Sequence, residues 1–115
     1  EVTVKGTPIK DENNCKFGMV MDFSDLKKII KSTIIDRFDH ALVLYEKMPH
    51  HNLKEFEEMF GKVIFVPFQP TTEEFLSEFA KQIKALLPKS ITLFSLKLRE
   101  TESSYAEWYA EDNPE

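Results

Sequence analysis

The chain has 115 residues, enough for one domain with a single core and too few for two. Hydrophobic residues make up 42% and charged residues 30%, the balance of a globular chain, and no apolar run approaches the roughly 20 residues that span a bilayer. A net charge of -5 without a basic cluster argues against a nucleic-acid partner, and the single cysteine, Cys15, excludes an internal disulfide and fits a reducing, cytoplasmic setting.

Glu1 to Pro8 alternates, with Val2 and Val4 on one side, and predicts a strand. It opens without an initiator Met and without a secretory leader, in what reads as mid-strand, so an earlier segment is expected ahead of it. Lys10 to Lys16 predicts a polar loop, and Gly18 introduces Met19-Val20-Met21 as a second short strand. Asp22 or Ser24 then caps a helix whose Leu26, Ile29, Ile30, Ile34 and Phe38 form one apolar stripe, with Lys27, Lys28 and Lys31 on the solvated side. Asp39-His40 ends that helix and leads into the apolar segment Ala41 to Leu44.

Met48-Pro49-His50-His51 predicts a connector, Asn52 to Phe60 a short helix and Val63 to Val66 a strand. Pro70-Thr71-Thr72-Glu73-Glu74 carries a hydroxyl cap and acidic residues suited to the positive end of a helix dipole. That helix turns Phe75, Leu76, Phe79, Ala80, Ile83, Leu86 and Leu87 inward and stops before Pro88. Ser90 to Glu100 switches to period two, predicting a strand with Phe94, Leu96 and Leu98 on one face and Glu100 as the next residue of that row. Glu102 to Ser104 forms a turn, Tyr105 to Tyr109 returns as a strand, and the acidic tail Glu111 to Glu115 frays. The order predicts an α+β domain over 1–115, with two main helices on one face of a mainly antiparallel sheet.

Glu100 is the first candidate for chemistry. A carboxylate that continues an apolar row is costly to bury unless donors meet it, and a planar heterocycle with adjacent N–H and NH2 groups would satisfy both oxygens. By spacing alone, a strand-end glutamate that has reached water, or pairs with a lysine, fits at least as well. Asp39-His40 is the second: a carboxylate beside an imidazole suits a proton relay near neutral pH. Unaided, an Asp closing a helix and a His capping its carboxyl end is the simpler reading. His50-His51 lacks further ligands at defined spacing, and Cys15 reads as an ordinary thiol unless a base is brought to it.

Four stretches taken together are more specific than any one of them: Gly18 to Lys27 (GMVMDFSDLK), Phe38 to Leu42 (FDHAL), Pro70 to Glu74 (PTTEE) and Leu98 to Glu107 (LRETESSYAE). In this order and at these separations the chain resembles the family that includes 6-pyruvoyl-tetrahydropterin synthase and the bacterial 6-carboxytetrahydropterin synthase of queuosine biosynthesis. The resemblance implies the tunnelling fold, in which subunits join edge to edge into barrels, as homohexamers made of two trimers with active sites between subunits. It implies that Glu100 anchors the pterin ring, that Asp39 and His40 belong to a Cys–Asp–His proton-transfer set, and that Thr71, with Thr72 competing for the role, lies near the pterin pocket.

The implied activity is a zinc-dependent lyase converting 7,8-dihydroneopterin triphosphate to 6-carboxy-5,6,7,8-tetrahydropterin. The alternatives are 6-pyruvoyl product formation and a non-catalytic pterin-binding scaffold. The family's zinc histidines and catalytic cysteine have no counterpart here: Cys15, His50 and His51 do not match them. The first strand and zinc-ligand segment, roughly thirty residues, are therefore expected upstream of Glu1.

Overall fold

The computed structural model describes residues 1–48 and 53–114 of the chain. Its centre is a three-stranded antiparallel sheet in the order β1-β4-β5, formed by β1 (Val2–Lys5), β4 (Thr92–Arg99) and β5 (Tyr105–Tyr109). The hairpin of β4 and β5 places Leu96 opposite Trp108, Leu98 opposite Ala106 and Arg99 opposite Tyr105. On the other side of β4, Val2 faces Leu96 and Val4 faces Leu93.

Between those two pairs the register shifts: Thr3 opposes Ser95 while Val4 opposes Leu93, so Phe94 is an extra residue on β4. Such a bulge reverses the side-chain parity of a strand. Leu93 therefore shares the buried face with Leu96 and Leu98, and Phe94 leaves that row for the opposite face, where its ring meets Tyr109 edge-on at 6.2 Å. The expected row of Phe94, Leu96 and Leu98 is thus corrected to Leu93, Leu96 and Leu98.

The buried face is covered by α4 (Thr72–Leu86), whose Leu76, Phe79, Ala80 and Ile83 recur at helical spacing and pack with Leu93, Leu96 and Trp108. Ile83 is fully buried. Leu86, expected on this face, is 53% exposed, because the chain turns extended at Leu87 and it is Leu87 that packs on the core. At the sheet's far end Gly6 lies under Ile91, where a Cβ would stand 3.0 Å from the Ile91 side chain and 3.1 Å from the Ser90 carbonyl, so a close approach of backbones holds that position.

The first helix begins as expected, with Asp22 accepting from the Ser24 amide at 2.9 Å. That bond, and a second from the Ser24 hydroxyl, hold the Asp22 carboxyl below its usual range. The Asp25 carboxylate accepts from the Lys16 ammonium at 2.6 Å, ties the 10–18 loop to the helix and raises the Lys16 pKa. The helix is not uniform: α1 (Phe23–Ile30) passes into a π-helical segment, Lys31–Ile35, and ends as α2 (Asp36–Phe38). Ile29, Ile34 and Phe38 reach the core cluster, and Phe38 meets Phe75 and Phe79 with centroids 5.5 Å apart in each case.

Two expectations for the sheet are revised. Met19-Val20-Met21 is not a strand; it is tied to the first segment by a local pair of bonds, Ile9 amide to Met19 carbonyl (2.9 Å) and Gly18 amide to Ile9 carbonyl (2.8 Å). The segments β2 (Leu42–Tyr45) and β3 (Val63–Val66) form a separate two-stranded parallel sheet, joined through α3 (Leu53–Phe60). A helix between two short apolar strands returns the chain in the same direction, so parallel pairing follows from that connection. The tail also departs from expectation: Ala110–Asp112 forms a 3-10 turn, and the Asn113 side chain donates to the Tyr109 carbonyl at 2.8 Å.

The result is an α+β structure with an antiparallel sheet and helices packed over one face. Its radius of gyration is 17.3 Å, against the roughly 13 Å of a compact chain of this length. No helix among the described residues is long and apolar enough to cross a membrane.

Candidate functional site

Glu100 lies one residue beyond β4, and its setting is made by backbone. The amides of Glu100 and Thr101 both donate to the Ser104 carbonyl, at 2.8 and 3.1 Å, and the Ser104 amide donates to the Thr101 hydroxyl at 3.0 Å. Arg99 Nη1 adds a 3.4 Å contact to the Glu102 carbonyl. The turn is therefore closed without the Glu100 carboxylate, which is exposed and has no hydrogen bond or ion pair among the described residues. The expectation of an inward-facing carboxylate is corrected on this point: β5 pairs only as far as Arg99 with Tyr105, and Glu100, one residue beyond that pair, is exposed.

Asp39 and His40 form the sharp end of the first helix. The Asp39 amide closes on the Ile35 carbonyl at 2.9 Å, and the backbone turns extended at Asp39 and left-handed at His40, with φ 56°. Histidine is among the few non-glycine residues that enter this region with any frequency. His40 Nε2 stands 3.7 Å from Asp39 Oδ2, close enough for charge pairing and too far for a hydrogen bond, and the two side chains are 94% and 62% exposed. Asp39 also rims an apolar cleft of about 340 Å³ lined by Ile34, Phe38, Val43, Phe75 and Leu98.

Thr71 is the amino-terminal cap of α4: its hydroxyl accepts from the Glu74 amide at 3.2 Å, while Thr72 is already helical. Thr71→Ala is expected to lower stability by about 1 kcal/mol, and Thr71→Ser to retain nearly all of it. Urea denaturation of the two variants checks this, and equal losses would show that the hydroxyl bond is not what holds the helix start.

The elements bearing these residues meet around that cleft. Phe38, next to Asp39, packs on Phe75, one turn into the helix that Thr71 caps, and Leu98, two residues before Glu100, lines the cleft that Asp39 rims. No hydrogen bond or ion pair among the described residues joins Glu100, Thr71 and the Asp39–His40 pair to one another. Cys15 is exposed in its loop, and His50-His51 lies outside the described residues. Among the described residues no three His, Cys, Asp or Glu side chains are grouped to hold a metal ion.

A second polar surface was not singled out from the sequence. On the sheet face opposite α4, Lys97 reaches Glu107 at 3.6 Å and lies over the Tyr105 ring at 4.1 Å, and Arg99 reaches Glu1 at 3.6 Å. The Tyr109 hydroxyl donates to the Glu107 carboxylate, which raises the Tyr109 pKa. The signal for it is the alternation Lys97, Arg99 on one strand with Tyr105, Glu107, Tyr109 on the next.

Residues 1–111 match the family model described as 6-pyruvoyl tetrahydropterin synthase. The chain is 31% identical over 111 residues to a Haemophilus influenzae protein named 6-carboxy-5,6,7,8-tetrahydropterin synthase, covering 94% of this chain and 75% of that one. It is 32% identical over 95 residues to the protein of the same name from Rickettsia typhi, covering 80% and 68%. The chain belongs to the 6-pyruvoyl tetrahydropterin synthase family, whose matched members are named as enzymes of tetrahydropterin synthesis.

Proposed function

We propose that the protein is a 6-carboxytetrahydropterin synthase, converting 7,8-dihydroneopterin triphosphate to 6-carboxy-5,6,7,8-tetrahydropterin in 7-deazapurine and queuosine biosynthesis. The observation that carries this reading is similarity over 94% of the chain to a protein of that name. The exposed, unpartnered Glu100 carboxylate supports it, since both oxygens are free to accept from the adjacent N–H and NH2 groups of a pterin. The Asp39–His40 pair supplies a carboxylate and an imidazole for moving a proton at the substrate side chain. Thr71 sits near the pocket in this reading, its hydroxyl already engaged as a helix cap.

Zinc dependence belongs to the reading through the resemblance alone. The described residues do not offer a donor set that fits the ion. The second reading is a pterin-binding scaffold of this fold without metal chemistry.

Assembly is part of the proposal as well: a homohexamer of two trimers in the tunnelling fold, with sites completed between subunits. Both outer strands of the sheet, β1 and β5, have an edge without a partner strand among the described residues. Such edges invite pairing with another copy. The extended shape of the single chain points the same way.

Incubation of the purified protein with zinc and 7,8-dihydroneopterin triphosphate, followed by mass spectrometry of the products, tests the reading. The 6-carboxy compound is expected. The 6-pyruvoyl compound would replace the proposed product, and pterin binding without turnover would favour the scaffold.

A further inference from the structure

We propose that the wide helical turn Lys31–Ile35 is a positioning device for the Asp39–His40 pair, with Thr33 as its positioning residue; this rests on the reading of that pair as proton-transfer groups. Ile29 and Ile34 both pack on the core, five residues apart. In a regular α-helix of 3.6 residues per turn, such residues point roughly 140° apart. A single π turn absorbs the extra residue, so that Ile34, Phe38 and the residues beyond Phe38 come back into line with the core.

The wide turn disturbs the hydrogen bonding of the turn before it, and side chains take up the slack. Thr33 Oγ1 donates to the Ile29 carbonyl at 2.7 Å and lies 3.5 Å from that of Ile30, while the Ser32 hydroxyl also reaches the Ile29 carbonyl, at 3.1 Å. Hydroxyl bonds of this kind are a known way for Ser and Thr to bend or loosen a helix. Thr33 is half-buried and makes the shorter bond; Ser32 is exposed. The turn closes with the Asp36 amide on the Lys31 carbonyl, braced by the Lys31–Asp36 ion pair (2.8 Å) and by Lys62 donating to the Asp36 carbonyl (2.7 Å). Two residues further on, Phe38 is gripped by Phe75 and Phe79, and Asp39 emerges at the cleft. The phase of the wide turn thus sets the direction in which Asp39 and His40 leave the helix. Thr33 touches no reacting group in this scheme and acts through them.

The test is a set of variants in the purified protein, read by kinetics and by hydrogen exchange. Thr33→Val keeps the shape and removes the donor; it is expected to lower kcat about tenfold with KM changed less than about twofold, a loss typical of a misplaced catalytic group. Thr33→Ser is expected to restore kcat, and amides of Ile29–Phe38 are expected to lose protection in the valine variant only. Deleting Ser32 within the Thr33→Val chain shortens the five-residue step to four, so a regular helix then needs no hydroxyl, and kcat is expected to recover.

Unchanged kcat or unchanged protection in Thr33→Val overturns the proposal, as does a serine variant as slow as the valine one, or a deletion that gives a regular helix and stays slow. His40→Asn, which tolerates the left-handed backbone, examines the underlying reading separately: full turnover there brings down that reading and this proposal with it. A slow His40→Asn beside a normal Thr33→Val overturns the positioning role alone.

Discussion

Glu100→Gln is expected to weaken pterin binding about a hundredfold while leaving the thermal midpoint of the protein unchanged. The two halves of that expectation have separate causes. The β4–β5 turn is closed by the Glu100 and Thr101 amides on the Ser104 carbonyl, bonds that survive any side chain at position 100. The carboxylate is exposed and makes no hydrogen bond or ion pair among the described residues. Against a heterocycle presenting two donors, however, glutamine offers one acceptor and one donor, so one bond is lost and its place is taken by two facing N–H groups. Hydrogen bonds to charged groups contribute about 1.5–3 kcal/mol, and a hundredfold change in affinity corresponds to about 2.7 kcal/mol. Titration of wild type and variant with a fluorescent pterin measures it; equal dissociation constants would remove Glu100 from the binding site.

Ile83→Ala carries the largest expected cost to stability, about 3 kcal/mol, with Ile83→Val near 1 kcal/mol. Ile83 is fully buried and belongs to the cluster of α4 residues with Leu93, Leu96 and Trp108 that joins helix to sheet. Alanine favours helix more than isoleucine by a few tenths of a kcal/mol, which offsets little of the cavity left behind. Domains of this size hold only about 5–15 kcal/mol in all, so the loss is a large fraction of the whole. Urea unfolding followed by circular dichroism, at fixed protein concentration, gives the number. A loss under about 1 kcal/mol for alanine would mean that the core is centred elsewhere.

Local patterns carried much of this architecture. The strand Tyr105–Tyr109, the strand Val63–Val66 and the capped helix beginning at Thr72 are each written in a few neighbouring residues: alternation, a short β-branched run, a hydroxyl followed by acids. The features that escaped depended on distant partners. Phe94 leaves its expected row because Thr3 and Val4, some ninety residues earlier, take Ser95 and Leu93 as partners and skip it. Met19 to Met21 has strand-like composition and no strand beside it. Leu26, Ile29, Ile30, Ile34 and Phe38 read as one regular stripe, and only packing shows that the helix widens between Ile29 and Ile34.

The site divides in the same way. Periodicity picked out Glu100 and extended its row one residue past the last paired position, where the cover ends. The pairing of Asp39 with His40 follows from adjacency, while the left-handed turn that separates their side chains to 3.7 Å does not. The roles proposed for Glu100, Asp39, His40 and Thr71 came from the family resemblance, because exposed side chains leave little local trace of what they meet.

The pairing of β1 with β4 also has a meaning in time. Val2 of β1 pairs with Leu96 of β4, more than ninety residues further along the chain, whereas β4 and β5 are joined by a short turn. Hairpins close in about 1–10 μs, and contacts of high sequence separation form later because a long loop must be closed first. β1 is therefore expected to be the last strand to dock, and until it does, the edge of β4 that will receive it stands open to the strand of any neighbouring copy. Refolding should then show a final phase that competes with association as protein concentration rises; a final phase with neither concentration dependence nor competing aggregates would argue against late docking.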